Sequence, residues 1–400
     1  MTKTTVDPAT GDLLVAGTRV FPLGLSDPPP FDSTAPDGTP AWAAIAAAGI
    51  TFGRNYTVWT NAAAAEQLLA VGQQLEAAAQ HGLQLWVALA GIDNDLSHQA
   101  LLDRVVNAVK GHPGLGAWKG SDEPAHGRVP AAGCVAVYKH VRALDPSHPI
   151  VLIEAPRAAS GAPLTAAAIK PYTAACDIHG IDIYPVSRPP GLHAGTAPVN
   201  TDISVVGDMT RIAARASGGK PVWTTLQIAW SGSIAPHPVV FPTFVQARFM
   251  AYDAIVAGAR GLSFFGGQIR AAMNAADKAR GWNWTYWRTV LAPLLEELTD
   301  AAHTQALTAP VSSHTITAGA TDVAVSAREA GGFLYLLAVR RSPTRTGAVR
   351  FAGLPTGITT GTVLAHPGGN PARRVAVAGG AFTDPSEYAP HNARVYRFKL

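Results

Sequence analysis

Short apolar runs alternate with helical stretches eight times between residues 13 and 302, and this rhythm limits the possible folds more than any other feature. Near-continuous apolar runs are typical of parallel strands that are covered on both faces. The predicted strands are Leu13–Gly24 (a hairpin leading into the first buried strand), Gly49–Asn55, Leu83–Leu89, Gly116–Glu123, Pro149–Glu154, Asp177–Pro185, Lys220–Gln227 and Gly261–Gly266. The predicted helices are Ala41–Ala48, Ala62–His81, Gln99–Lys110, Ala131–Leu144, Leu164–Ala175, Asp208–Ala216, Thr243–Ala257 and Trp284–Ala302. This order predicts an α/β fold, a (β/α)8 TIM barrel.

The pattern changes after about residue 308, where helical runs give way to short β runs separated by Gly, Pro and Thr. Such spacing predicts a small antiparallel β-sandwich. We therefore divide the chain into a catalytic barrel with an N-terminal hairpin, residues 1–308, and an accessory sandwich, residues 309–400. The predicted sandwich strands are Thr321–Arg328, Gly332–Val339, Thr362–Ala365, Arg374–Ala378 and Ala393–Phe398, with a turn at Gly379–Pro385 before the last of them.

The composition excludes several classes of function. With 31 basic and 27 acidic residues the net charge is only +4, and no Lys/Arg cluster indicates a nucleic-acid partner. The 13 histidines are scattered without an H-E-x-x-H motif, so neither a metal nor another cofactor is expected. The motifs G-x-S-x-G and G-x-x-x-x-G-K are also absent, which disfavours serine hydrolysis and nucleotide binding.

The sequence gives limited information on where the protein acts. No apolar run reaches the roughly 18 residues that span a membrane, and the first residues contain no apolar signal segment. The chain is expected to be cytoplasmic as written, or secreted if a leader has been removed. Cys134 and Cys176 are the only cysteines. We expect free thiols in a large α/β core, and a single bridge is the alternative.

The fourth predicted strand ends in two adjacent carboxylates, Asp122 and Glu123, followed by Pro124. Proline disfavours continuation of the strand, and barrel enzymes place catalytic groups at such carboxyl ends. Because neighbouring side chains on a strand point to opposite faces, the two acids are expected to have different roles. Glu123 is the predicted general acid, since burial near Trp118 would raise its pKa. Asp122 is predicted to be structural, holding a neighbouring strand.

Glycoside cleavage normally uses two carboxyl groups that flank the scissile bond. Asp182, at the end of the sixth strand, is the predicted partner of Glu123, and Glu154, at the end of the fifth, is the alternative. A separation of about 5 to 5.5 Å between the carboxyl groups would indicate retention, and about 6.5 to 9.5 Å inversion.

Other polar and aromatic residues at strand ends are candidates for sugar binding. Arginine and amide side chains hydrogen-bond hydroxyl groups, and aromatic rings cover the apolar faces of sugars. The predicted substrate-binding residues are Arg54, Asn55, Trp118, Tyr184, Gln227, Trp230, Trp282 and Trp284.

Several segments together resemble the superfamily of barrel glycoside hydrolases with a C-terminal β-sandwich, although they do not assign an individual family. They are Phe21–Gly24, Asp122–Pro124, Asp182–Pro185, Lys220–Trp223, Gly258–Phe265 and, in the tail, Gly380–Asp384 with Val395 and Tyr396. The resemblance implies cleavage of an oligo- or polysaccharide, with a carboxylate at the end of strand four, here Glu123, as the proton donor.

One position departs from that pattern. Retaining members carry a nucleophilic Glu at the end of strand seven, where this chain has Gln227. An amide cannot replace a carboxylate nucleophile, so an inactive carbohydrate-binding protein on a glycosidase fold is the alternative. A lyase or a transglycosidase that uses the same acid is a further alternative.

Overall fold

The computed structural model describes residues 3–158, 160–187, 200–230, 239–367, 371–385 and 388–400. Eight parallel strands close into a barrel, each paired with its neighbours in chain order, and the last pairs with the first. The predicted TIM barrel is therefore confirmed. Its strands are β4 (Leu23–Leu25), β5 (Phe52–Arg54), β6 (Gln84–Ala88), β7 (Leu115–Asp122), β8 (Ile150–Glu154), β9 (Ile178–Asp182), β10 (Val222–Gln227) and β11 (Ala259–Phe265).

Helices follow the strands and cover the outside of the barrel. They are α1 (Ala41–Ala47), α2 (Ala64–Gln80), α3 (Gln99–Val109), α4 (Pro124–Gly127), α5 (Ala131–Leu144), α6 (Ala166–Ile169), α7 (Val205–Ala216), α8 (Phe244–Val256), α9 (Ala275–Arg280), α10 (Trp284–Tyr286), α11 (Ala292–Thr299) and α12 (Ala301–Thr308).

Two of the predicted helices are interrupted. The stretch Leu164–Ala175 forms only α6 and a 3₁₀ segment, Lys170–Ala175, because proline lacks the amide hydrogen that an α-helix needs. The stretch Trp284–Ala302 contains a π-helical turn and then breaks at Asp300. The Asp300 carboxylate caps the following helix by accepting from Ala302 N and His303 N.

The lower part of the barrel is filled by side chains. The rings of Phe52 and Trp86 each lie 5.7 Å from the ring of Trp223, in one cluster with Leu13. Leu13 belongs to a small antiparallel sheet of β1 (Thr4–Val6), β2 (Leu13–Val15) and β3 (Thr18–Val20). The barrel is thus packed at the amino ends of its strands, and the carboxyl ends are left for a site.

The C-terminal region consists of two antiparallel sheets around a separate core, as predicted. The segment Gly379–Pro385 was predicted as a turn, but residues 381–384 within it form a strand that pairs with a neighbour. One sheet contains β12 (Thr317–Ala318), β15 (Val349–Ala352) and β18 (Ala381–Asp384); the other contains β13 (Val323–Ala330), β14 (Phe333–Arg340), β16 (Thr360–Val363), β17 (Arg373–Ala376) and β19 (Ala393–Lys399).

Both cysteines are buried free thiols. Within the described ranges, none of the helices combines the length and the apolarity needed to cross a bilayer. No group of three or more His, Cys, Asp and Glu in those ranges is arranged to hold a metal ion.

Candidate active site

A cleft of about 280 Å³ opens at the carboxyl ends of the barrel strands. It combines three carboxylic acids with one arginine and four aromatic rings, which come from the ends of several barrel strands. This composition is the usual one for a site that binds a polar ring-shaped ligand and acts on it. Its lining residues are Ser26, Arg54, Tyr56, Asp122, Glu123, Ile153, Asp182, Tyr184, Thr225, Trp230 and Phe265.

Asp122 and Glu123 both line the cleft, although strand alternation predicted opposite faces for them. The reason is the backbone of Glu123, which is left-handed with φ 47° and ψ 47°. A residue with this conformation turns the chain out of the strand, so the alternation ends at Asp122. Pro124 then begins the short helix α4. The turn brings two consecutive carboxylates into one site.

The Glu123 and Asp182 side chains both line the cleft. Burial first, and then the charge of Glu123, raise the pKa of Asp182 well above its usual value. Burial first, and then the charge of Asp182, raise the pKa of the Tyr184 phenol. The structure therefore brings the predicted acid and its first predicted partner into one cleft.

Asp122 is in the opposite electrostatic state. Its side chain is 51% exposed, and its Oδ2 accepts from Arg54 Nη2 at 2.9 Å while its Oδ1 lies 3.0 Å from Lys119 Nζ. Partial desolvation would raise its pKa, but the two cations outweigh that effect and hold the pKa well below the usual range. Asp122 therefore stays ionised in the same cleft as Glu123 and Asp182.

Aromatic rings form the walls of the cleft. Tyr56 is 46% exposed, and the Arg54 guanidinium lies 4.1 Å from the centre of its ring. Tyr184 and Phe265 are stacked with their ring centroids 5.3 Å apart, and the predicted binding residue Trp230 also lines the cleft. Exposed and partly exposed rings of this kind can cover the apolar face of a sugar.

Glu154, the alternative partner, does not reach the cleft. It is fully buried, and its Oε2 accepts from Ala125 N at 3.1 Å, behind the turn that carries Glu123. Burial raises its pKa to about 8. Its position supports the start of α4 rather than contact with a ligand.

Trp118 and Asn55 also lie outside the cleft. Trp118 faces the surrounding helices, where its Nε1 donates to Asp145 Oδ2 at 2.8 Å. Asn55 is buried, donates to Gln74 Oε1 at 2.9 Å and accepts from Thr57 N at 3.0 Å. Both side chains are therefore occupied by the protein's own packing.

Gln227, at the end of the seventh barrel strand, is a clamp between loops. Its Oε1 accepts from Val186 N at 3.0 Å, and its Nε2 donates to Val186 O at 2.7 Å and, more weakly, to Val240 O at 3.4 Å. The side chain is buried and does not line the cleft. The amide thus joins the segments that follow the sixth and seventh strands.

Trp282 and Trp284 pack against each other below the loop that follows the eighth strand. Their ring centroids are 5.0 Å apart, and Trp282 Nε1 donates to Asp27 O at 2.8 Å. Both side chains are buried, so neither offers a surface to a ligand in this structure.

Sequence reasoning did not select Lys119 or Tyr56. A signal existed for Lys119, because a lysine inside the apolar run Gly116–Gly120 must find a buried partner. Tyr56 follows directly after Arg54 and Asn55 at a strand end, and this position in the chain also indicated a residue near the site. Asp122 was assigned to contacts with Arg, which it makes, but its exposure to the cleft was not foreseen.

No protein-family model matches the chain, and no curated protein is significantly similar in sequence. Solved structures are similar in fold. A glycoside hydrolase of family 5 from Bacteroides vulgatus superposes with a TM-score of 0.65 at 13% identity, over 99% of this chain and 92% of its own. The chain has the fold of the barrel glycoside hydrolases. A structure described only as a glycoside hydrolase gives a TM-score of 0.63 at 13% identity, covering 99% of this chain and 96% of its own.

A family 30 endoxylanase from Clostridium papyrosolvens is similar over the whole length of both chains, with a TM-score of 0.55 and 13% identity. These barrel glycoside hydrolases come from different families, so no single family is indicated. The likeness extends over the barrel and the sandwich together. At such low identity it does not assign a substrate.

Proposed function

We propose that the protein hydrolyses a glycosidic bond, with Glu123 as the general acid and Asp182 as the second carboxyl group of the site. The observation that carries the proposal is the placement of these two carboxyl groups in one cleft at the carboxyl ends of the barrel strands. Like-charged carboxylates that lie close together oppose each other's ionisation, and the raised pKa of Asp182 keeps a proton in the cleft at a pH where a single exposed carboxylate would have lost it. A retained proton is what protonation of a leaving-group oxygen requires.

The remaining cleft residues fit a neutral sugar. The positive charge of Arg54 is already matched by Asp122, so the described lining residues offer no unpaired cation to an anionic sugar. Tyr56 and Trp230 provide rings for the apolar face of a pyranose. The similarity of the whole fold to glycoside hydrolases supports the same reaction class.

Release of reducing sugar from a panel of glycans and aryl glycosides tests the proposal. Glu123→Gln and Asp182→Asn should each lower kcat/KM by about 10² to 10⁴-fold, because a positioned proton donor contributes that much. Glu154→Gln is the informative comparison, since its carboxyl group is buried outside the cleft, and it should retain activity within about tenfold. Equal losses in Glu123→Gln and Glu154→Gln would contradict the assignment.

A binding protein without turnover is the second candidate, and Gln227 is the observation that favours it. The residue stands where retaining relatives of this fold have a nucleophile, and its amide is engaged by the backbone of Val186. A wild-type protein that binds a glycan but releases no product from any substrate would favour this candidate over the hydrolase.

A further inference from the structure

Strand β7 carries one extra residue relative to β8 just before the candidate active site. Lys119 pairs with Val151. The next pair is Asp122 with Ile153, so β7 advances by three residues while β8 advances by two. An extra residue of this kind is a β-bulge, which bends the strand and can re-aim a side chain beside an active site. The bulge comprises residues 120 and 121, directly before the two consecutive carboxylates of the cleft.

The bulge decides which face of β7 Asp122 occupies. Ala117 belongs to the cluster that fills the barrel interior. Strict alternation from Ala117 would place Asp122 on the opposite, outer face. Asp122 instead lines the cleft, whereas Ser121 is buried outside the cleft lining. The extra residue therefore turns Asp122 inward, and the left-handed Glu123 follows it.

A single buried ammonium group lies at this bulge. Lys119 is 1% exposed, and its Nζ donates to Gly120 O at 2.8 Å and to Ser121 O at 3.0 Å. The same Nζ lies 3.0 Å from Asp122 Oδ1. An ammonium group has three N–H donors, and three acceptors surround this one. Lys119 is not among the residues that line the cleft, so its contacts point to a role in holding the chain.

The chain beyond the bulge is anchored to the end of β8. Glu123 N donates to Ile153 O at 2.7 Å. Ala125 N donates to Glu154 Oε2 at 3.1 Å. These bonds fix the backbone after the turn, and the Lys119 ammonium fixes it before the turn. The proton donor proposed above therefore sits between two anchored points of the backbone.

The charge of Asp122 does not by itself require Lys119. Arg54 Nη2 donates to Asp122 Oδ2 at 2.9 Å, so a second cation remains when the lysine is replaced. What Lys119 adds is the pair of hydrogen bonds to the carbonyls of the bulge. These bonds act on the backbone that leads into Glu123.

On the basis of the proposed hydrolase function, we propose that Lys119 is a positioning residue of the active site. Its ammonium group holds the carbonyls of the bulge and thereby sets the place of the Glu123 carboxyl group as proton donor. Lys119 itself neither contacts the substrate nor transfers a proton. A displacement of about 1 Å at a reacting group can lower a rate by about 10²-fold, so the hold on this backbone has a measurable consequence.

Aryl glycosides that differ only in the leaving group test this role in Lys119→Met. The 2,4-dinitrophenolate ion leaves without protonation, whereas phenolate needs a proton donor. With the sugar that the wild type releases most efficiently, the variant should lower kcat/KM by about 10²-fold on the phenyl glycoside and by less than about tenfold on the 2,4-dinitrophenyl glycoside. A mere loss of folded enzyme would lower both values equally.

Lys220→Met is the matched control. Lys220 Nζ also donates to two backbone carbonyls, Thr173 O and Cys176 O, both at 2.6 Å. The residue lies before β10, at the amino ends of the barrel strands, and is not among the lining residues of the cleft. Lys220→Met should therefore keep the ratio of the two kcat/KM values within about twofold of wild type.

Amide hydrogen exchange gives a readout that needs no substrate. In Lys119→Met a peptide covering residues 120–127 should exchange at least about tenfold faster than in wild type, because two hydrogen bonds from a charged donor are lost there. A peptide from α2 should exchange as in wild type, which excludes global unfolding as the cause. Unchanged exchange over residues 120–127 would overturn the proposal, whatever the enzyme hydrolyses.

The double variant Lys119→Met, Asp122→Asn keeps the proposal testable if the single variant does not fold, because it removes both partners of the ion pair. Relative to Asp122→Asn alone, it should still lower kcat/KM on the phenyl glycoside by about tenfold or more. No additional loss would mean that Lys119 acts only through the charge of Asp122, and would overturn its action on the bulge. Circular dichroism spectra check that each variant is folded.

The outcomes separate this proposal from the proposed function. Losses of equal size on both aryl glycosides in Lys119→Met would overturn the positioning role and leave the hydrolase function standing. No cleavage of any glycoside by the wild type would overturn the proposed function together with the catalytic consequence of Lys119. The exchange comparison then still decides whether Lys119 holds the bulge.

Discussion

The raised pKa of Asp182 predicts a specific dependence of activity on pH. Because burial and the charge of Glu123 raise that pKa, a proton remains in the cleft at higher pH than on a lone exposed carboxyl group. Activity that needs this proton is present below the raised pKa and is lost as pH rises through it. Asp122 remains ionised far into the acidic range, so it sets no acidic limb.

Asp182→Asn should therefore move the alkaline limb of the kcat/KM profile to lower pH, since the carboxyl group with the raised pKa is gone. Profiles of wild type and variant on one substrate measure this directly. An unchanged limb in Asp182→Asn, in a variant that still turns over, would show that the pair does not control the reaction.

The left-handed backbone conformation of Glu123 should lower the free energy of unfolding. The site requires this conformation, because it turns the chain at the end of the strand. A non-glycine residue with this conformation costs about 1 to 2 kcal/mol, partly offset by the greater unfolded-state entropy of glycine. Glu123→Gly should therefore be more stable than Glu123→Ala by about 0.5 to 1 kcal/mol in urea unfolding, with both inactive. The same comparison inside α1, Ala46→Gly against wild type, should show destabilisation, because that position is helical.

At the scale of elements, the clamp formed by Gln227 fixes the segments after β9 and β10 against each other. Replacing the amide by a carboxylate would direct an oxygen at Val186 O, which now accepts a hydrogen bond from Gln227 Nε2. Gln227→Glu is therefore expected to lower stability by about 1 to 3 kcal/mol without raising activity, although it restores the residue type of retaining glycosidases.

Thermal unfolding and kcat/KM of Gln227→Glu measure the two effects separately. Gln227→Met is the comparison that removes the amide without adding a charge. A large gain of activity in Gln227→Glu would mean that the side chain can turn into the cleft, and would contradict the clamp.

The short β7–α4 turn is the element on which the site depends most. It ends the strand at Asp122, turns at Glu123 and starts a helix at Pro124. Lys119, three residues earlier, is buried and forms an ion pair with Asp122. One continuous segment of six residues thus carries the ionised Asp122, one of its cations and the proposed proton donor, Glu123.

At the scale of the whole molecule, a buried ion pair of the barrel is hydrogen-bonded to the backbone of the sandwich. Arg248 on α8 binds both oxygens of Glu297 on α11, at 2.7 and 2.8 Å, and also donates to Ala393 O on β19 at 2.7 Å. The Tyr252 hydroxyl donates to Glu297 at 2.7 Å. The two parts of the chain therefore share one polar network.

Arg248→Met should destabilise the protein by about 3 to 5 kcal/mol, because it leaves Glu297 buried without its cation. The double variant Arg248→Met, Glu297→Leu should recover most of that loss, since neither charge then remains. Urea unfolding followed by fluorescence and by far-ultraviolet circular dichroism measures both. A loss below about 1 kcal/mol in the single variant would mean that the network does not join the barrel to the sandwich.

The sequence by itself determined the architecture and the strand ends that carry the acids. Periodicity, helix-forming composition and the position of Pro124 are local properties, and they were enough to predict the barrel, the sandwich and the location of Glu123 and Asp182 at strand ends. The boundaries were less certain where a local breaker competes with a helical pattern, as in Leu164–Ala175.

Only the tertiary structure decided which of these side chains meet. Glu123 and Asp182 are distant in the chain, and their placement in one cleft depends on the closure of the barrel and on a left-handed turn that no residue type announces. Equally, Trp118, Trp282 and Gln227 carry the right chemistry for sugar binding, but packing partners distant in sequence occupy them. Residue type fixes what a side chain can do, whereas its neighbours across the barrel decide whether it faces the cleft and which charge it carries.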